Sequence, residues 1–210
     1  VRITSSKSAN KSTYQEVHDI QPYHKWREYY VAADDKLSPF YGRQYSEFQY
    51  SEKIYNYYIH PQWDNFGSQT LYMKILYVDY DTSVACIELI GEWNDLLNND
   101  VMYLKRDIVD PLMRVDITKF IIMCDNVLVY HGEEDDYYEE WYQDVSDEGG
   151  WIAFVNVQDQ VMADMEQTGL QYYVNIGPEL NDLKWRLPSP KTLVTAVQLL
   201  MDNTVKQLRY

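Results

Sequence analysis

Beyond residue 83 the chain alternates short apolar runs with stretches of helical spacing, and few folds accept that pattern. The runs fall at 84–90, 120–124, 151–157 and 172–176. Strands separated by helix-length segments build a mostly parallel sheet covered by helices. A further apolar run at 71–80 precedes the series, and Asp79-Tyr80-Asp81-Thr82 supplies a turn before Val84. The predicted fold class is therefore α/β: a mixed sheet opened by an antiparallel hairpin and covered by helices.

The intervening segments read as helices from their periodicity. Leu97, Val101, Leu104, Ile108 and Leu112 recur at i, i+4, i+7, i+11 and i+15, which places one apolar stripe on a helix over 95–114. Asn94 or Asp95 suits its N-cap, and Pro111 kinks or ends it. A short acidic helix at 135–145 stops at Gly149-Gly150. Another helix at 158–168 ends where Gly169 takes the left-handed C′ position. Leu193, Val197, Leu200 and Leu208 mark a terminal helix.

The front of the chain differs in kind. Residues 1–13 are polar and small and read as a flexible tail. Residues 14–69 form a Tyr-rich N-terminal extension, with a short helix expected around 23–33 and Tyr41, Tyr45, Tyr50, Tyr55, Tyr57 and Tyr58 close together. Their partial alternation with polar residues predicts strands with one packed face. Residues 70–210 make the α/β domain.

Charge narrows the function. The net charge is −15, and residues 133–148 hold nine carboxylates and no base. Nucleic acid needs a clustered basic face, so it is excluded as the expected partner, and an anionic membrane surface is disfavoured for the same reason. No apolar run approaches the ~20 residues of a membrane span, and no charged-then-apolar leader is visible. Cys86 and Cys124 both fall in predicted strands and read as buried, reduced core residues, in keeping with a cytoplasmic setting. No paired-cysteine metal motif and no glycine-rich phosphate loop is present; no cofactor or metal is expected.

Several local motifs resemble those of the STAS domain, the fold of bacterial anti-sigma factor antagonists. Ile90-Gly91-Glu92-Trp93 resembles the step by which that family leaves its second strand. Residues 151–157, with Val161, Met165, Thr168-Gly169-Leu170 and Tyr173-Val174, resemble its later strand, helix and turn. Leu187-Pro188-Ser189-Pro190, leading into a helix with Ala196, resembles its closing helix. The resemblance spans about 70–208 and implies a regulatory, non-catalytic protein. Members carry a phosphorylatable serine in the loop after the third strand. Here that loop falls at His131-Gly132-Glu133-Glu134-Asp135-Asp136, and no Ser or Thr lies between residues 119 and 144. Fixed carboxylates stand where the family makes a conditional charge, and they imitate a phosphate only in part.

The expected working surface is therefore acidic: Glu133, Glu134, Asp135, Asp136, Glu139 and Glu140. Its partner would be another protein with a basic or mixed-charge face, bound in a salt-sensitive way. A different reading places a small hydrolase or ligand-binding site at the strand-end crevice of Cys124, Asp125 and His131, since open α/β sheets hold ligands beyond their strand ends. A third uses the tyrosines of the extension as a carbohydrate- or peptide-binding platform. No residue is assigned a catalytic role.

Overall fold

Pairing in the main sheet follows the order of the chain. In the computed structural model, which describes residues 20–132 and 136–207, four strands lie in sequence order: β3 (Leu71–Asp79), β4 (Val84–Asn94), β5 (Lys119–His131) and β6 (Trp151–Val155). Two short strands, β1 (Lys53–Ile54) and β2 (Tyr57–Tyr58), pair separately ahead of them. The hairpin β3–β4 is antiparallel, with Asp79 opposite Val84, and β4–β5 and β5–β6 are parallel. Its turn is tightened by Asp79, whose Oδ1 accepts the Asp81 and Thr82 amides at 3.1 and 3.4 Å. The side chain closes an Asx-type turn.

Two parallel steps in one direction place both crossovers on the same face, given their right-handed rule. The first crossover is a broken helix: α1 (Asp95–Asn98), α2 (Asp100–Tyr103), a π-helical stretch over Leu104–Val109, and α3 (Asp110–Met113). Asn94 caps it, accepting the Leu97 amide at 3.0 Å. Asn99 sits in the left-handed region and divides α1 from α2. That break explains a departure from the expected stripe. Val101, Leu104, Ile108 and Leu112 are buried, but Leu97 lies before the break and is 84% exposed. Pro111 lies in α3, two residues before the helical run ends at Met113, and the π-helical stretch over Leu104–Val109 just ahead of it is the irregularity expected near a proline.

The second crossover is α4 (Asp136–Asp147), and α5 (Asp159–Gln167) follows β6. These helices cover one face, where Ile87, Phe120, Ile122, Phe154, Trp93 and Trp141 make a continuous core. On the other face α7 (Pro190–Gln207) packs Leu193, Val194 and Val197 against Cys86, Ile121 and Val155. The extension does not stand apart. Trp26 joins the α7 face, while Phe40 and Phe66 join the other, so the chain wraps the β3 edge.

Three expectations need correction. Residues 172–176 form no strand. The chain makes a 3-10 turn at Leu170–Tyr172, and a single parallel bridge, Ala153 to Asn175, is all that remains of the pairing. The helix expected at 23–33 is a 3-10 turn, Lys25–Glu28. Tyr45 to Tyr50 form no strand either, because their side chains pair with polar groups and do not line a pleated surface. Tyr45 donates to Asp64, and Tyr50 meets the His60 ring edge-on.

At residue 91 the backbone requires glycine. Gly91 has φ +122, and a Cβ there would lie 2.1 Å from the Thr70 carbonyl oxygen. That contact lets Glu92 N donate to Thr70 O at 3.0 Å and leads the chain into the hairpin.

Candidate functional site

Helix α4 is amphipathic in an uneven way. Tyr138, Trp141 and Val145 face the core, and every charged position of the helix is acidic. The buried side is fixed at its start by Asp95. Its Oδ1 accepts Trp93 Nε1 and the Val101 amide, and its Oδ2 accepts the Tyr138 hydroxyl at 2.8 Å. Asp95 thus ties β4, α2 and α4 together.

The carboxylates of α4 divide into two sets. Lys105, on the first crossover, is almost wholly buried and donates to Asp110, to Asp144 at 2.8 Å and to Glu140 at 3.5 Å. Burial alone would lower its pKa, but the bonds to Asp110 and Asp144 outweigh it and the net shift is upward. Arg106 grips Glu140 with both guanidinium nitrogens, at 2.6 and 2.7 Å. That grip holds the Glu140 carboxyl below its ordinary range. Glu140 and Asp144 are therefore structural anchors between the two crossovers. Asp136, Glu139 and Asp147 face solvent with Tyr142, which is 44% exposed. Glu133, Glu134 and Asp135 lie outside the described residues.

The alternative crevice residues do not converge. Cys124 is fully buried on the helix-covered face, and Asp125 projects to the opposite one, beside Trp185 and Arg186. β5 continues unbroken to His131, half-exposed, whose Nε2 is 3.7 Å from Glu92 Oε1. Asp125 and His131 are six positions apart along the strand, or ~20 Å. The strand runs past the expected end at 124: Asp125-Asn126 interrupts the apolar run, yet Asn126, Val127, Val129, Tyr130 and His131 still pair with β4. Burial pushes the Cys124 thiol up, away from a thiolate nucleophile. Cys86 and Cys124 are both free and buried.

Two clusters went unread in the sequence. Glu88 stands in the middle of an apolar strand and is 1% exposed. It accepts the Tyr23 amide at 2.8 Å and Arg186 Nη2 at 3.0 Å, and Arg186 Nη1 reaches Asp125 at 2.7 Å. Trp185 Nε1 also donates to Asp125, at 2.8 Å. Burial pushes the Glu88 carboxyl up to about 7, against the pull of the Tyr23 amide and Arg186. The second cluster surrounds Asp64, fully buried, which accepts Arg43 at 2.9 Å, Tyr45 at 2.6 Å and Lys74 at 3.0 Å. A single charge inside an apolar run, Glu88 in one strand and Lys74 in another, was the available signal. Among the described residues, no three His, Cys, Asp or Glu side chains group as metal ligands. No helix among them is long and apolar enough to cross a membrane.

No protein-family profile matches the chain, and no curated protein matches it. Among solved structures, it is similar to the crystal structure of a putative anti-sigma factor antagonist from Thermotoga maritima. The identity is 18%, the match covers 50% of this chain and 82% of that one, and the TM-score is 0.35. No residue's role is carried over from it.

Proposed function

We propose that this chain is a non-catalytic, regulatory interaction protein whose docking surface is the solvent side of α4 with the β5–α4 connection. The supporting observation is the division of the α4 carboxylates. Glu140 and Asp144 are consumed by Lys105 and Arg106, while Asp136, Glu139 and Asp147 remain outward around Tyr142. A tyrosine set among unneutralised carboxylates combines an apolar contact with charge steering. The partner presents a basic or mixed-charge face. The connection holds no Ser or Thr, so its charge is permanent and is not set by serine phosphorylation.

The test is Asp136→Lys together with Glu139→Lys. Exposed charge changes shift stability by only about ±0.5 kcal/mol, so the melting temperature should stay nearly constant. Capture of the native partner from cell extract at low salt should fall, and wild-type capture should fall similarly when salt is raised. Equal capture by both proteins at low salt would reduce the acidic side of α4 to a solvated face.

A further inference from the structure

A second feature, unrelated to α4, lies where residues 22–33 and Tyr45 cross β3. They enclose a cavity of about 150 Å³. Its walls are mainly apolar, with Val31, Ala32, Ala33, Ile75 and Leu76 on them. In a chain of net charge −15, the only charged residues among the described ones that line it are Arg27 and Lys74.

The charge balance beside the cavity is unusual. Lys74 sits over the Tyr45 ring at 3.6 Å and, among the described residues, hydrogen-bonds to Asp64 alone. Asp64 is shared with Arg43, and Arg27, which lines the same cavity as Lys74, also repels it electrostatically. Arg43 and Lys74 thus share one carboxylate, and Arg27 adds a further positive charge near Lys74. An ammonium forms three hydrogen bonds and this one spends a single bond on protein. Burial lowers the Lys74 pKa despite Asp64, and Arg27 and Arg43 lower it further. Arg27 is exposed, with Nη2 on Gln62 Oε1 at 3.0 Å, so the polar side of the cavity opens to solvent.

We propose that this cavity binds a small organic anion: a carboxylate on an apolar body of about benzene size. An apolar cavity of about 150 Å³ takes a benzene ring. The carboxylate would lie by Lys74 and Arg27, where it offsets the excess charge and fills the spare donor positions. A charge-assisted hydrogen bond to a cation is among the stronger polar contacts available to so small a ligand.

Benzoate is the probe, titrated into the full chain by calorimetry and followed by ligand-observed NMR. Benzyl alcohol serves as the neutral match in shape. Benzoate should bind saturably and raise the melting temperature, and benzyl alcohol should bind at least about tenfold more weakly. Lys74→Met should remove that preference. Ala33→Leu, which fills the cavity and leaves the ion pairs intact, should abolish binding of both probes while the fold persists. If Lys74→Met does not fold, Ala33→Leu with the two-probe comparison decides. Equal affinity for the two probes, unchanged benzoate binding in Ala33→Leu, or no saturable binding at all would overturn the proposal.

Discussion

On the face covered by the crossover helices, the strands contribute only hydrophobes: Leu71, Met73, Ile75, Ala85, Ile87, Leu89, Phe120, Ile122, Cys124 and Phe154. The opposite face mixes Cys86, Ile121 and Val155 with Lys74, Glu88 and Asp125. The first face is closed mainly by segments that follow each strand directly, with Phe40 and Phe66 added from the extension. The second is closed by the two ends of the described chain. Tyr23 lies 65 residues from Glu88, and Arg186 lies 98 residues beyond it. Local closure needs only packing. Distant closure here adds charges that pair only when the correct segment arrives, which fixes where that segment sits at a cost in desolvation.

The sharpest break of this contrast is a cavity in the dry face. Phe154→Ala removes a fully buried ring that packs on Trp93 with centroids 5.6 Å apart. It should cost about 3–5 kcal/mol, measured by urea unfolding. A loss under about 1 kcal/mol would mean that this face is loosely packed.

Glu88→Gln probes the wet face through pH. In the folded state the carboxyl is raised from 4.5 to about 7, so the native protein holds the proton that the unfolded chain has released. The group's contribution is fully present below pH 4.5 and is lost as pH rises to about 7. The full shift corresponds to roughly 3 kcal/mol as an upper order of magnitude. Unfolding at pH 5 and pH 8 should show Glu88→Gln gaining on wild type at the higher pH. Parallel pH profiles for the two proteins would mean that Arg186 neutralises Glu88 completely.

Arg186→Leu should have a smaller effect. It leaves Glu88 and Asp125 without their shared cation, but the guanidinium is 41% exposed and solvent screens part of the pair. We expect a loss of about 1–2 kcal/mol at pH 8 that shrinks at pH 5, where Glu88 takes up a proton. A loss that does not depend on pH would assign Arg186 to packing on Trp185, whose ring it covers at 4.2 Å.

The same contrast explains what the sequence made legible. Hairpin, crossovers and α7 were readable because each is set by periodicity within about twenty residues. The strand expected at 172–176 was misread because its apolar composition suits a strand, while the turn after Gly169 leaves only Asn175 in reach of β6. The tyrosine stretch misled for the opposite reason: its alternation reflects polar pairing to Asp64 and His60. Of the candidate acidic surface, composition shows the charge but not its division, since only the positions of Arg106 and Lys105 show that Glu140 and Asp144 are spent. Glu88 and Arg186 carry no local sign of one another.

The late partner of Glu88 has a consequence for a chain still being made. When β3, β4 and β5 have left the ribosome, the residues that α7 will face, Leu76, Tyr77, Val84, Cys86, Ile121 and Met123, are already made, and Arg186 has yet to be added. Apolar surface of this kind associates in partly folded chains. Lys74, Glu88 and Asp125 interrupt it on three successive strands, as gatekeeper charges interrupt an aggregation-prone segment. The same carboxylates that cost desolvation in the finished protein break up the apolar surface of a chain whose C-terminal residues have yet to cover it.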